Sequence, residues 1–328
     1  MRIGITTTIP IEVVYAAGHV PVDLNNIFIG SDDPQELVRK AEYEGYPRNV
    51  CGWIKGIYST AIESGIKTVI AAVEGDCSQT HAMMETLEMQ GIDVIPFSFP
   101  YGRDRDILKL HIRKLADRLG ADWHDILEWK VRLDAIRKKI QRVDELTWQE
   151  GKVTGIENHL WQISTSDFSG NPQKFECDLD AFLLEAEART QSTGGIRLGF
   201  AGIPPIFTDF YQFIEEKGAE IVYNEVQRQF AMPYNTSNIV EQYALYTYPY
   251  DIFGRIEDIK QEIKRRNIKG LIHYTQSFCF RQIQDLIVRK NIDVPILTLE
   301  GESPGPLDAR TRVRIESFLE MLDEQPRP

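Results

Sequence analysis

Short apolar runs alternate along the chain with longer stretches in which apolar residues recur every three or four positions. In the first hundred residues, the apolar runs are rich in Val and Ile and predict strands at 2–6, 20–24, 67–73 and 93–97. The stretches between them predict helices at 11–17, from 32 onward, at 51–64 and at 78–90. The third run is apolar almost throughout, as expected of a strand buried on both faces of a parallel sheet.

The pattern changes at 104–150, where helical periodicity predicts two long helices that meet near Gly120. A second alternating series then predicts strands at 196–201, 220–223, 269–274 and 294–299. Its helices are expected at 207–217, 255–266, 279–290 and 308–323. Strands that alternate with helices form parallel sheets, so the predicted fold class is α/β. We expect two Rossmann-like or flavodoxin-like parallel-sheet domains with a helical connection.

Turn residues suggest where these domains begin and end. The predicted divisions are an N-terminal α/β domain with a helical extension at 1–150, a helical linker at 151–194 and a C-terminal α/β domain at 195–328. Within the linker, residues 163–172 are rich in Ser, Asp, Gly, Asn and Pro and are the best candidate for an irregular connection. A second break is predicted at 191–195, where the sequence is Gln-Ser-Thr-Gly-Gly.

Charge and hydropathy exclude some classes of protein. The chain has 37 Lys and Arg residues against 49 Asp and Glu residues, for a formal net charge of −12. A protein that binds nucleic acid through its phosphates needs a basic face, so this class is disfavoured. No apolar run approaches the roughly 18 residues of a membrane span, and the N-terminus lacks a signal-peptide pattern. We therefore predict a cytoplasmic protein without a membrane partner.

The four cysteines offer the most specific candidate chemistry. In a reducing compartment four cysteines are not expected to form a disulfide framework. Cys51, Cys77 and Cys279 each stand at the start of a predicted helix, where the backbone favours a thiolate. They are candidate ligands of one metal or iron–sulfur site. Their spacing includes no Cys-x-x-Cys pair, so buried inert cysteines are the alternative, and Cys177 has no neighbouring ligand residue.

Three further residues are candidates for catalysis. Ser78 and His81 lie within one helical turn of Cys77, and His19 follows the first short helix in a turn. An imidazole there is either a proton donor or a structural side chain. The sequence contains no glycine-rich dinucleotide motif and no P-loop, which disfavours a standard dinucleotide enzyme or P-loop ATPase.

Several motifs resemble, in the same order, those of the 2-hydroxyacyl-CoA dehydratase / benzoyl-CoA reductase superfamily. A Pro-x-Glu…Ala-Ala-Gly-x-x-Pro signature opens the series. The matching segments are 10–22, Cys51, 75–78, 214–222, Cys279, 300–302 and 313–318. The segment at 300–302 has Glu where the family has Asp, and that at 313–318 has Val where it has Thr. The resemblance covers nearly the whole chain.

The resemblance implies a [4Fe-4S] cluster held by Cys51, Cys77 and Cys279, with the fourth iron open to water, hydroxide or substrate. It implies a separate ATP-hydrolysing iron–sulfur activator that supplies a low-potential electron. It also implies an acyl-CoA substrate that is dehydrated through a ketyl radical or reduced. Ser78, His81 and His19 become candidates for lining the open side of the cluster. Relatives imply a homodimer or a heterodimer of related subunits.

Three other functions stay open at this point. The chain is alternatively a non-catalytic electron-transfer or assembly partner that keeps the cluster. It is alternatively a small-molecule reductase related to the double-cubane branch of the superfamily, although four cysteines favour a single cubane. The third alternative is a cluster-free α/β binding protein in which the cysteines only pack.

Overall fold

A computed structural model describes residues 1–191 and 194–324. Ser192 and Thr193, which belong to the predicted break at 191–195, lie outside the described residues, as do the last four residues of the predicted C-terminal domain.

The described residues form two four-stranded sheets in which all strands are parallel. The strands are β1 (Arg2–Ile5), β2 (Val20–Asp23), β3 (Thr68–Glu74), β4 (Asp93–Ser98), β5 (Ile196–Ala201), β6 (Ala219–Asn224), β7 (Gly270–Gln276) and β8 (Ile296–Gly301). The first sheet has the order β2-β1-β3-β4 and the second has the order β6-β5-β7-β8. The two sheets therefore share one strand order, and the predicted α/β class with two parallel sheets is confirmed.

Helices flank both sheets and connect them. In chain order they are α1 (Ile11–Ala16), α2 (Leu24–Ile29), α3 (Pro34–Tyr43), α4 (Gly52–Glu63), α5 (Thr80–Met89), α6 (Arg105–Leu119), α7 (Trp123–Trp148), α8 (Gly155–Ile163), α9 (Pro172–Ala188), α10 (Phe210–Glu216), α11 (Glu225–Phe230), α12 (Ile239–Leu245), α13 (Ile252–Arg266), α14 (Asp285–Asn291) and α15 (Ala309–Asp323). Short 3₁₀ helices cover Ser164–Ser166, Phe168–Gly170 and Phe280–Gln284.

The predicted connection at 163–172 joins α8 to α9 and is packed against the first sheet. Two of the 3₁₀ helices occupy it, and Phe168 within it is fully buried. The Asp167 carboxylate accepts a hydrogen bond from the backbone N–H of Asp23 at 2.7 Å, which fastens this segment to the end of β2. Turn residues marked the chain reversals correctly, but they gave no sign that the segment is packed.

The long helix α7 connects the two halves of the molecule through buried ion pairs. Near its middle, Arg137 lies 2.8 Å from the carboxylate of Glu12 on α1. Two turns further on, Asp144 lies 2.6 Å from Arg266 at the end of α13. All four side chains are buried. The first half and the second half are thus held against the same helix.

The apolar core also continues from one half into the other. One buried cluster joins Ile54 and Ile57 of α4 with Phe200 of β5 and Phe210 of α10. The two sheets consequently pack as parts of one body. Among the described residues, no helix is long and apolar enough to cross a membrane.

Candidate functional site

A cavity lies where the carboxyl ends of both sheets meet. Its walls include the residues that follow β1, β2 and β3 in the first sheet and those that follow β5 and β7 in the second. Its volume is about 110 Å³. Each strand order reverses between its first and third strands, and ligands of open α/β sheets bind at such points.

Cys51, Cys77 and Cys279 all line this cavity. Cys77 lies three residues after the end of β3, and Cys279 lies three residues after the end of β7. Because these strands hold the third place in sheets of the same order, the two cysteines occupy equivalent loops. Cys51 comes instead from the N-cap of α4.

The N-cap position of Cys51 brings it against the second half of the chain. Gly52 is packed so closely that a Cβ atom there would lie 2.6 Å from the backbone oxygen of Glu302 and 3.3 Å from Ile206. A side chain at this residue would push the start of α4 away from the loop after β8. Glycine therefore allows the Cys51 thiol to reach a cavity shared by both sheets.

Gln79 joins the three cysteine segments by hydrogen bonds. Its side-chain oxygen accepts from the backbone N–H of Cys51 at 3.3 Å, and its side-chain nitrogen donates to the backbone oxygen of Phe278 at 3.2 Å. Its own backbone N–H donates to the Cys77 sulfur at 3.4 Å. One residue thus contacts the segments that carry all three thiols.

Burial raises the pKa of each of these thiols. The pKa of Cys51 rises to about 11, chiefly through burial, with the nearby Cys279 and Asp76 adding to the effect. Burial likewise raises the pKa of Cys77, as does the adjacent Asp76, and burial raises the pKa of Cys279. A bound cation would reverse this preference, since metals take thiolates as ligands.

The arrangement of the thiols fits a group larger than a single ion. In a tetrahedral zinc site, Zn–S bonds of about 2.3 Å place the sulfurs about 3.8 Å apart. The sulfurs of Cys51, Cys77 and Cys279 are not all within 4.8 Å of one another. Among the described residues, the potential metal ligands that are this close are those of His124, Asp125 and Glu128, which are exposed. The three thiols therefore do not form a ready tetrahedral site for one ion, and thiolates are also the usual ligands of iron–sulfur clusters.

Arg281 and Tyr248 close one side of the cavity. The Arg281 guanidinium donates to the backbone oxygens of Gly75 and Tyr248 at 3.0 and 3.1 Å and lies 4.6 Å from the centre of the Tyr248 ring. The Tyr248 hydroxyl donates to the Asp76 carboxylate at 2.8 Å. Burial raises the pKa of Asp76 to about 6, against the opposing effects of Tyr248 and Arg281.

The remaining walls divide into an apolar side and a polar side. The apolar side is formed by Ile29, Trp53, Ile54, Ile57, Ile163, Ile203, Pro204, Pro205 and Phe230. The polar side is formed by Thr6, Thr7, Thr8, Asp23, Asn25, Asn26 and His159. The cavity can therefore hold a largely apolar molecule that carries one polar end.

Comparison with known families gives a match over nearly the whole chain. The family profile described as 2-hydroxyglutaryl-CoA dehydratase, D-component, matches residues 6–322. The chain belongs to this family. The suspected superfamily is thereby confirmed. No match was found among curated proteins.

Within the D-component family, this chain places its predicted site residues in two groups. The three predicted cluster cysteines come together in the cavity, and Cys177 is exposed on α9. Ser78, His81 and His19 are not among the residues that line the cavity. Ser78 and His81 are exposed, and His19 lies 3.4 Å from the N-terminal amine. Their predicted role beside the cluster has no support in these positions.

Sequence reasoning missed other residues of this D-component site. Asp23 is the last residue of β2 and Asp76 follows β3, so the rule that ligands gather at strand ends could have found them. His159 lies inside α8 and had no local signal, because the helix reaches the cavity only through packing between the halves. Arg281 is two residues from Cys279, but its bonds to Gly75 depend on the tertiary fold.

Proposed function

We propose that this chain is an iron–sulfur dehydratase-type protein in which Cys51, Cys77 and Cys279 hold a [4Fe-4S] cluster. The observation that carries the proposal is that three thiols from distant parts of the chain line one cavity at the carboxyl ends of both sheets. Membership of the dehydratase D-component family supports the same chemistry. A colourless binding protein would not need three thiols converging there.

The cluster, when bound, supplies one-electron chemistry and a Lewis-acidic iron that lacks a protein ligand. The protein residues hold it and shape the space beside it. Backbone N–H groups of Trp53, Gln79 and Arg281 lie near the three sulfurs, and N–H groups directed at sulfur stabilise thiolates. The apolar wall limits water beside the reacting groups.

The cavity favours a catalytic role over electron transfer alone. A carrier needs a cluster near the surface, whereas a cavity with an apolar wall and a polar wall beside the thiols is suited to hold a substrate. Family membership supports an ATP-dependent activator as electron donor and an acyl-CoA as substrate. We propose both for this chain, in a homodimer or a heterodimer with a related subunit.

A second candidate is reduction of a small molecule without a coenzyme A group. The observation that favours it is that Arg281 is the single Lys or Arg side chain among the described lining residues. One guanidinium, with one nitrogen already donating to two backbone oxygens, offers little compensation for the several phosphates of coenzyme A. The substrate tests below include this possibility.

Anaerobic purification and cluster reconstitution test the proposal. We expect about four iron and four sulfide per chain, a brown colour, and loss of most iron in Cys51→Ser, Cys77→Ser and Cys279→Ser. Cys177→Ser is the matched control and should keep its iron. An iron-free wild type after reconstitution, or equal iron loss in Cys177→Ser, would contradict the proposal.

Titration of the reduced protein with 2-hydroxyacyl-CoA thioesters separates the two substrates. A change in the EPR signal of the cluster on adding thioester supports the dehydratase assignment. A signal that changes with small reducible molecules but with none of the thioesters supports the reductase.

A further inference from the structure

His159 is a buried imidazole on the polar wall that the proposed chemistry has not used. It lies on α8, is 7% exposed and lines the cavity. Its Nδ1 atom lies 2.9 Å from the Tyr211 hydroxyl oxygen. The same hydroxyl donates its proton to Asn224 at 2.8 Å.

These two hydrogen bonds determine which ring nitrogen of His159 carries the proton. A tyrosine hydroxyl has one proton, and here Asn224 receives it. The Tyr211 oxygen must therefore accept a hydrogen bond from Nδ1–H of His159. Burial lowers the pKa of His159 to about 3, so the ring is neutral at ordinary pH. The second nitrogen, Nε2, is then an acceptor, and no other described residue donates to it.

Two carboxyl groups lie on the walls of the same cavity, together with the hydroxyls of Thr6, Thr7 and Thr8. The Asp23 carboxylate is 5% exposed and accepts from both the backbone and the side-chain N–H groups of Asn25. Asp76 adds a second carboxyl group. The guanidinium of Arg281 is the single cationic group among the described lining residues, and one of its nitrogens already donates to two backbone oxygens. The two carboxyl groups disfavour an anionic ligand group beside them.

We propose that His159 Nε2 recognises the cavity ligand by accepting a hydrogen bond from its hydroxyl or protonated amine group. The ligand class is a molecule whose part inside the cavity is largely apolar and ends in a neutral or cationic donor group, as the acyl end of a 2-hydroxyacyl thioester does. This inference deepens the proposed function, because it concerns the same cavity. A site built to bond a donor group rejects analogues that lack it.

Binding of four probes of one shape tests the ligand class. Benzyl alcohol and benzylamine carry donors, toluene lacks a polar group, and benzoate is anionic. Ligand-observed NMR titrations on the full reconstituted chain should give benzyl alcohol and benzylamine at least fivefold tighter binding than toluene or benzoate. Benzoate binding as tightly as benzyl alcohol, or failure of all four probes to bind, would overturn the proposal.

Two variants test His159 itself. Asn places an amide N–H near the Nδ1 position and can keep the bond to Tyr211, but it removes the Nε2 acceptor. His159→Asn should weaken benzyl alcohol binding about fivefold to tenfold and leave toluene unchanged. His159→Gln, whose amide oxygen reaches the Nε2 position, should restore part of the loss. Equal weakening of toluene and benzyl alcohol would indicate a structural role and contradict the proposal.

The same samples separate this inference from the proposed function. Iron content reports on the three cysteines, and probe selectivity reports on His159. An iron-free protein that still selects among the probes would contradict the proposed cluster but support the proposed ligand class. A protein that keeps its iron but does not select among the probes would support the cluster and contradict the ligand class.

Discussion

At the scale of single residues, the site depends on side chains whose ionisation is set by burial. The thiols of Cys51, Cys77 and Cys279 are held towards the neutral form until a metal is bound, because burial raises each pKa. His159 is also kept neutral by burial, which lowers the pKa of its imidazole. The three thiols and the imidazole that line the cavity are therefore uncharged until a metal or a ligand binds.

The pKa of His159 predicts an acid-dependent loss of stability. Its folded value of about 3 lies below the ordinary 6.5, so the stability it contributes is present above pH 6.5 and is lost as the pH falls towards 3. His159→Asn lacks this loss. We expect the difference in unfolding free energy between wild type and variant to shrink by roughly 2 kcal/mol from pH 7 to 4.5.

Urea unfolding of the cluster-free proteins at the two pH values measures this difference. His81→Asn is the control, since His81 is exposed and its variant should keep a constant gap from wild type. An unchanged gap for His159→Asn would show that its imidazole is not held neutral by burial.

At the scale of elements, loops after equivalent strands are held together by Gln79. Residues 77–79 form a turn in which the Gln79 N–H bonds to the Cys77 sulfur, which is why α5 begins at Thr80 and not at the predicted Ser78. The predicted helix at 279–290 also differs, because a 3₁₀ helix precedes α14. In both cases the cysteine lies in a short irregular segment before the regular helix.

Removing the Gln79 side chain should loosen the site. Gln79→Ala loses its bonds to Cys51 and Phe278, each worth about 1 kcal/mol. We expect iron to pass to a chelator about fivefold faster or more from the reconstituted variant. Gln212→Ala is the control, because Gln212 is exposed and bonds only to Glu216 among the described residues. Equal rates in both variants would mean that Gln79 does not hold the loops.

The sequence predicted the regular elements better than the contacts between them. All eight predicted strands are present, because apolar runs in parallel sheets are local signals. The short helices α2, α11 and α12 were missed, whereas α1, which is equally short, follows Pro10, a residue that favours a helix start. The three cysteines that the sequence singled out line one cavity, whereas finding His159 required knowledge of how α8 packs.

At the scale of the whole molecule, the helix α7 contacts both halves and fixes their relative position. Glu12 of the first half and Arg266 of the second half each form a buried ion pair with this helix. Tyr243 of α12 also donates to Glu12 at 2.7 Å, so the second half reaches the first directly. A cavity built from both sheets needs such a fixed relation between them.

Breaking one of these pairs should destabilise the whole chain. Asp144→Asn leaves the fully buried Arg266 with Glu262 alone, and removing one partner of a buried pair costs about 3 kcal/mol or more. Urea unfolding at pH 7 measures the change. Asp180→Asn is the control, since its exposed pair with Lys139 should cost less than about 1 kcal/mol. Similar losses in the two variants would contradict a connecting role for Asp144.

The strand order shared by the two sheets has a consequence for the number of ligands. A repeated architecture offers positions in pairs, and Cys77 and Cys279 form one such pair. Cys51 caps the helix that leads into the third strand of the first sheet, and Asp251 caps the matching helix of the second. Asp251 forms an ion pair with Arg103. Of the two equivalent helix caps, only the one in the first half therefore carries a thiol. An odd number of thiols thus follows from the different residues at the two helix caps, and a cluster held as proposed would have its fourth iron left for a molecule from outside.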